Sequence, residues 1–223
     1  MSKILGVHRY STLQSVNTVT LTALSGNYIP SPNILYLKVK MVGPGGGGSG
    51  SGTGGGAGTS GSGNATFSTF LTCTSGGGGN VAGIGGVPGD AFVITSPTVI
   101  KIFAESGAYG GVAEGNSTVP VYTPGGDGAN SPFAGRGVGS QSAGAAATGY
   151  GSGGGGSGSG ANTVSNGSGG GSGGYLEVLI LGQLAISYAY TNGNGGTGGT
   201  SGSGGGVGGN GAQSVIVIEE HFV

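Results

Sequence analysis

GNGGTGGTSGSGGGVGGNG, Gly193 to Gly211, is the stretch on which the fold turns. Gly193, Gly196, Gly199, Gly202, Gly205, Gly208 and Gly211 fill every position of one frame of three. The other two frames hold Asn, Thr, Ser, Val and more Gly. A period of three matches neither an α-helix nor a strand, whose periods are 3.6 and 2. It matches an extended left-handed helix of the polyproline II type, which has no internal hydrogen bonds. Its peptide groups must therefore pair with neighbours if the segment is ordered. Collagen supplies such neighbours from other chains and is rich in Pro. This stretch has no Pro, and the chain has 8. The expectation is a bundle of glycine helices folded within one chain, with Gly193–Gly211 as a central, well-surrounded member and looser runs outside it.

Working outward, 61 of 223 residues are Gly. Unpatterned glycine signals disorder, which also combines low hydrophobicity with high net charge. Here hydrophobic residues are 35% and the net charge is −1. Glycine is segregated and alternates with apolar, β-like segments. Ordering it costs about 1–2 kcal/mol of backbone entropy per residue. Lateral hydrogen bonds and an apolar core must offset that cost. Charged residues are only 6%, with no basic patch, so nucleic acid is not expected as a partner. No apolar run reaches the roughly 20 residues of a membrane span. MSKILGVHRYSTLQ lacks the apolar centre of a signal peptide. The single Cys73 excludes an intrachain disulfide.

Residues 1–25 are expected to be an N-terminal attachment segment, and 26–223 a single glycine-rich β domain. Val16 to Leu24 alternates, with Val19, Leu21 and Ala23 on one face. SGNYIPSPN, 25–33, is turn chemistry. LYLKVKMV is the clearest strand, with Leu35, Leu37, Val39 and Met41 inward and Tyr36, Lys38 and Lys40 outward. Ala65–Cys73 places Phe67, Leu71 and Cys73 together. Ile100, Ile102 and Ala104 oppose Lys101. YLEVLIL and ISYAY give two more strands, the second with Ile186, Tyr188 and Tyr190 on one face. In SVIVIEEHFV, Ile216, Ile218 and Phe222 share a face with Glu220, which suggests that the last turn leaves the core. Ser106 to Ala147 has irregular glycine and several Pro, and reads as loops. Residues 149–174 are dense in Gly and Ser without one clean frame. Strands joined by glycine runs, with no helical periodicity, predict an all-β antiparallel sandwich.

GNYIPSPNILYLKVKMVGPGGGG, ATFSTFLTCTSGGGG, GGYLEVLILGQLAISYAYTNGNGGTGG and AQSVIVIEEHFV occur in an order that resembles the glycine-rich domain of bacteriophage tail-fibre and tail-tip proteins. The resemblance runs from about Ser25 to Val223. It implies a jelly-roll or TNF-like sandwich carrying a polyglycine II bundle. It also implies a virion-associated adhesin that binds a host cell-surface receptor, protein or glycan. Other virion proteins would be partners through the N-terminus, and the assembly would be a homotrimer or a monomeric cap. The chain departs from the T-even-like adhesins in having only about 25 residues before the domain.

Motifs for chemistry are weak. G-x-G-x-x-G at Gly50, Gly52 and Gly55 is a product of composition and has no following helix. No Gly-Lys pair exists for a phosphate loop. His8 and His221 lie near opposite ends, and the seven acidic residues are scattered. Gly125-Gly-Asp127-Gly is one partial match to a calcium-binding nonapeptide, which requires repeats. No catalytic residue, metal ligand or cofactor is expected, and the reading is of a non-enzyme. Tyr109, Tyr122, Phe133, Arg136 and Tyr150 are the candidate receptor-binding residues, because aromatics in polar, turn-rich segments suit recognition. The plain alternative is that they plug the ends of the sandwich. The rival functions are a structural fibre, filament or coat subunit, and an ice-binding protein using the short column Thr197, Thr200 and Ser203.

Overall fold

The computed structural model describes residues 15–81, 83–96, 98–113, 123–133, 135–159, 165–182 and 184–222. Among them there are ten strands and no helix: β1 (Val16–Leu21), β2 (Ser25–Tyr28), β3 (Ile34–Val42), β4 (Ala65–Phe67), β5 (Leu71–Cys73), β6 (Ala91–Val93), β7 (Val99–Glu105), β8 (Tyr175–Leu181), β9 (Tyr188–Thr191) and β10 (Val215–Phe222). They form two antiparallel five-stranded sheets, ordered β1-β10-β3-β8-β7 and β2-β9-β4-β5-β6. Leu37, Val39, Met41, Leu176, Val178, Ile216 and Ile218 of the first sheet pack on Phe67, Leu71, Cys73, Tyr188 and Tyr190 of the second. This is a β-sandwich, as the alternating segments predict. Tyr28, Phe67 and Tyr188 stack at its centre, with Phe67 and Tyr188 centroids 5.0 Å apart. On the outer face of the first sheet, Lys38 pairs with Glu177 at 3.2 Å and Lys40 with Glu219 at 2.6 Å.

Several strand details differ from the sequence reading. Ser25–Tyr28 is a strand paired with β9, not a turn, because the chain crosses from one sheet to the other after Leu21. Leu35 is 47% exposed, since β3 is covered only from Leu37 onward. Ile100 and Ile102 are exposed because β7 is a sheet edge with a register shift between Lys101 and Phe103. Ile186 precedes β9 and is 91% exposed. The last turn does not leave the core: β10 continues to Phe222, and Glu220 is 1% exposed. Its Oε1 accepts from Tyr28 Oη (2.5 Å) and Ser31 N (3.0 Å), and its Oε2 from Asn17 Nδ2 (2.8 Å) and Ser31 Oγ (2.9 Å). A carboxylate so supplied is tolerated in a core position.

The glycine runs leave one end of the sandwich and return to it. Residues 43–52 donate in strict rotation to three neighbours. Gly45, Gly48 and Ser51 bond to Ala212, Gly209 and Gly206; Gly46, Ser49 and Gly52 to Gly171, Ser168 and Ser165; Gly47 and Gly50 to Thr59 and Gly56, all at 2.9–3.0 Å. The same run accepts from Gly76 and Gly79, from Gly154 and Ser157, and from Gly196, Gly199 and Gly202. Six segments thus surround it, three antiparallel and three parallel. Residues 150–159 and 165–174 are enclosed in the same way, each bonded to six other segments. Nearly every residue of these three interior runs is buried.

The physical reason for glycine is direct. A Cβ at Gly48 would lie 2.1 Å from the Gly155 carbonyl oxygen, at Gly154 2.1 Å from that of Gly209, and at Gly170 2.1 Å from that of Gly46. The Cα hydrogens point at these oxygens in weak Cα–H···O contacts. Serine enters the interior where a hydroxyl finds a partner: Ser51 Oγ donates to Gly158 O at 2.7 Å and Ser157 Oγ to Gly206 O at 2.7 Å.

One expectation is corrected here and another qualified. Gly193–Gly211 is peripheral and reverses at 201–205: its first limb bonds to 43–52, to 53–63 and to its second limb, the second limb also bonds to 43–52, Gly144, Ala147 and Gly155, and Thr197, Thr200 and Ser203 are exposed. Its frame glycines meet neighbours, a Cβ at Gly196, Gly199, Gly205 or Gly208 falling 2.0 Å from a carbonyl oxygen, and the off-frame Gly195, Gly198 and Gly209 do so at 1.9–2.1 Å. The described part of Ser106–Ala147 has no strand or helix, as the loop reading expects, but it is tied laterally to its neighbours. Gly107, Gly110, Gly126, Gly128 and Gly137 donate laterally to Gly89, Gly86, Gly167, Gly137 and Gly153. Turns and bends at 132–133 and 141–143 interrupt the segment, so its glycine spacing looks irregular.

Candidate functional site

The strongest concavity among the sequence-predicted residues is a groove of about 600 Å³ along the flank of the glycine runs. Its floor is 124–130, one wall is 108–112, and Arg136 and Gly139 form the other. The three-residue repeat sets which side chains face it. Pro124, Asp127 and Asn130 are three apart, as are Tyr109 and Val112. Main-chain bonds hold the walls: Gly111 N to Asp127 O at 2.6 Å and Gly128 N to Gly137 O at 2.8 Å.

Within the groove, Arg136 Nη2 contacts Asp127 Oδ2 at 2.7 Å, with both side chains part exposed. Asp127 Oδ1 accepts from Gly139 N at 2.8 Å, and Asn130 Oδ1 accepts from Arg136 N at 3.1 Å. The carboxylate is therefore fixed against the backbone and the guanidinium against the carboxylate, with bonding capacity left over. Tyr109 stands at the rim, 71% exposed. A second compartment of about 320 Å³, with Phe103, Glu105, Pro132 and Tyr175, shares Ala108 and Asn130 with the first.

Tyr109 and Arg136 are thus brought together. Phe133 and Tyr150 are not with them. Both lie half-buried where the sandwich meets the runs, packed on Val42, Tyr175 and Val215. Phe133 meets Tyr175 edge-on at 5.8 Å, and Ser131 Oγ ties this turn to the Tyr150 carbonyl. Tyr122 lies outside the described residues. Asp127 and Asn130 are the members that sequence reasoning missed; applying the frame of three to the middle segment would have placed them on one column.

Among the described residues the chain reverses direction away from the sandwich at 52–55, 140–143 and 201–205. The turns at 52–55 and 201–205 adjoin, Thr53 pairing with Ser203, and isolated bridges join Ser140 to Ser157 and Thr123 to Ser159. Positive φ at Gly54 (81°) and Gly204 (72°) lets them close. The described turn residues are uncharged. At the opposite end, Phe222 N bonds to Ser15 O, beside Ile34. The exposed Ile29, Leu35 and Ile186 lie at or near that end.

Other titratable groups serve the fold. Burial raises the Cys73 thiol far above its usual range. Burial, then the Glu220 bond, does the same to Tyr28. Burial pushes the Glu220 carboxyl upward, but bonds from Tyr28, Ser31 and Asn17 outweigh it and hold the group below the usual carboxylate range. Among the described residues there is no group of three His, Cys, Asp or Glu able to hold a metal, and no helix long and apolar enough to cross a membrane. No known family model matches the chain, and no curated protein matches it.

Proposed function

We propose that this chain is a bacteriophage tail-fibre or tail-tip adhesin that binds a host cell-surface receptor. Its sandwich has the jelly-roll or TNF-like plan, and its glycine runs are polyglycine II helices in an intrachain bundle. The rotation of lateral bonds every three residues supports the bundle, since such helices have no internal bonds and pair sideways. The observation that carries the function is polarity. The described reversals at 52–55, 140–143 and 201–205 are uncharged and close runs that leave and re-enter one end of the sandwich, and the start of β1 lies at the opposite end. A rigid shaft with turns at one end and an attachment end at the other suits a virion component that must present recognition elements outward. The attachment end would meet other virion proteins, as a trimer or a single cap.

The test uses the purified full chain, fluorescently labelled, against a panel of bacterial strains. Strain-dependent adhesion, lost when 140–143 and 201–204 are replaced together by Gly-Ser turns, is the expected result. Assembly into fibres with no adhesion to any strain would favour the structural-subunit reading. Adhesion unchanged by the turn replacement would remove the turns from the receptor contact.

A further inference from the structure

We infer that the flank groove formed by Tyr109, Asp127, Asn130 and Arg136 is a binding site for an uncharged saccharide unit of a surface glycan. The inference rests on the adhesin reading and names a ligand class for a site apart from the distal turns. The groove is concave and of small-ligand size. Its walls are extended backbone held by lateral bonds, so its shape is fixed before a ligand arrives.

The chemistry selects the ligand. The Asp127–Arg136 pair is internally neutral, which disfavours phosphate or a free carboxylate. Each partner keeps unused capacity: a carboxylate accepts about four bonds and a guanidinium donates five. Protein partners on the Asp127 carboxylate are Gly139 N and Arg136. Adjacent ring hydroxyls, which both donate and accept, match a carboxylate beside a guanidinium. The exposed Tyr109 ring offers an apolar face for the C–H side of a pyranose. The floor, 124–130, sets Gly125, Gly126 and Gly128 among Pro124, Asp127, Ala129 and Asn130, so peptide groups and polar side chains lie beside small apolar ones. The adjoining compartment bounded by Phe103, Glu105 and Pro132 continues the groove, so an oligosaccharide of at least two units fits better than a lone sugar.

The experiment places wild type, Tyr109→Ala, Arg136→Ala and the control Val207→Ser on an array of bacterial surface polysaccharides and core oligosaccharides. Labelled chain is also bound to cells, and each variant's thermal midpoint is recorded. Wild type and V207S should retain the same uncharged glycans, with Y109A and R136A weakened about tenfold or more at unchanged midpoint. Tyr109 is largely exposed, so Y109A tests the site even if R136A perturbs the flank. If wild type adheres to cells but retains no glycan, or if Y109A and R136A bind glycan as wild type does, the saccharide site is wrong while the adhesin reading stands. If wild type binds neither cells nor glycans, both fail. Preference for phosphorylated or acidic glycans would overturn the uncharged class.

Discussion

Replacing Gly154 by Ala should unfold the chain far more readily than its chemistry suggests. Gly154 sits mid-way along an interior run, donating to Gly46 O at 2.9 Å while Gly170 N donates to its own carbonyl at 2.9 Å. An added Cβ would meet Gly209 O at 2.1 Å, Gly209 C at 2.6 Å and Asn210 C at 2.7 Å. Ordinary contact needs more than a further ångström. The obstructing atoms are main chain, so no rotamer change clears them. The run 205–214 or 150–159 must shift as a unit, and the bonds Gly209 N to Gly155 O and Ala212 N to Ser152 O lie directly in the path. Losing two or three buried bonds at about 1–3 kcal/mol each gives roughly 2–9 kcal/mol, with about 3–6 kcal/mol as the middle of that range. The same change at an unobstructed site with compatible φ stabilises by about 0.4–1 kcal/mol, because it restricts the unfolded chain.

The sign therefore separates the two cases, and the size is a large part of a typical stability of about 5–15 kcal/mol. For a chain of this length each kcal/mol moves the thermal midpoint by about 2–4 °C, so G154A should melt roughly 10–20 °C below wild type. Differential scanning calorimetry of G154A, Gly202→Ala and Ser203→Ala checks the series. Gly202 meets Gly55 N and Thr53 O at 2.5 Å but lies at a turn that can yield, so G202A should fall between the others. Ser203 is exposed, and S203A should stay within about 1 kcal/mol of wild type. A G154A midpoint within 2–3 °C of S203A would refute close packing of the glycine runs.

Two further outcomes follow from buried groups. Glu220→Gln should cost about 2–3 kcal/mol at neutral pH, since four donors lose a charged acceptor. The Glu220 pKa is lowered on folding, so its contribution is full above the unfolded value of about 4.3 and is lost as pH falls through the folded value. The gap between wild type and E220Q in urea unfolding should therefore narrow below about pH 4; a gap independent of pH would contradict the role of the charge. Cys73 is fully buried with its thiol pushed up, so a thiol reagent should label it only at the rate of global opening; rapid labelling under native conditions would show that the sandwich opens locally there.

Strand alternation was legible where one face is covered and the other wet. LYLKVKMV and SVIVIEEHFV follow that rule because β3 and β10 are central strands. It misled at the edges and ends. Ile100 and Ile102 alternate as though buried, yet no strand lies beyond β7 in its sheet. Glu220 sits on the inward face and was read as the end of the core. Its donors come from Asn17, Tyr28 and Ser31, about 190 to 200 residues away, and no local pattern announces them. The groove was half legible: Tyr109 and Arg136 stood out by type, while Asp127 and Asn130 needed the frame of three.

The clean period of Gly193–Gly211 led to the right kind of contact and the wrong location, and the reason is geometric. A run with neighbours on some sides must have glycine only at positions facing them, so the free positions fill with Thr, Ser, Asn and Val and the period becomes visible. A run enclosed on all sides needs glycine at every position, and the period vanishes into GGGG. The middles of the enclosed runs are Gly45–Gly48, Gly153–Gly156 and Gly169–Gly171. Regularity in such a sequence thus measures exposure. The stretches that look least informative, unbroken glycine with an occasional hydroxyl partner, mark the interior, and that is where a single methyl group should matter most.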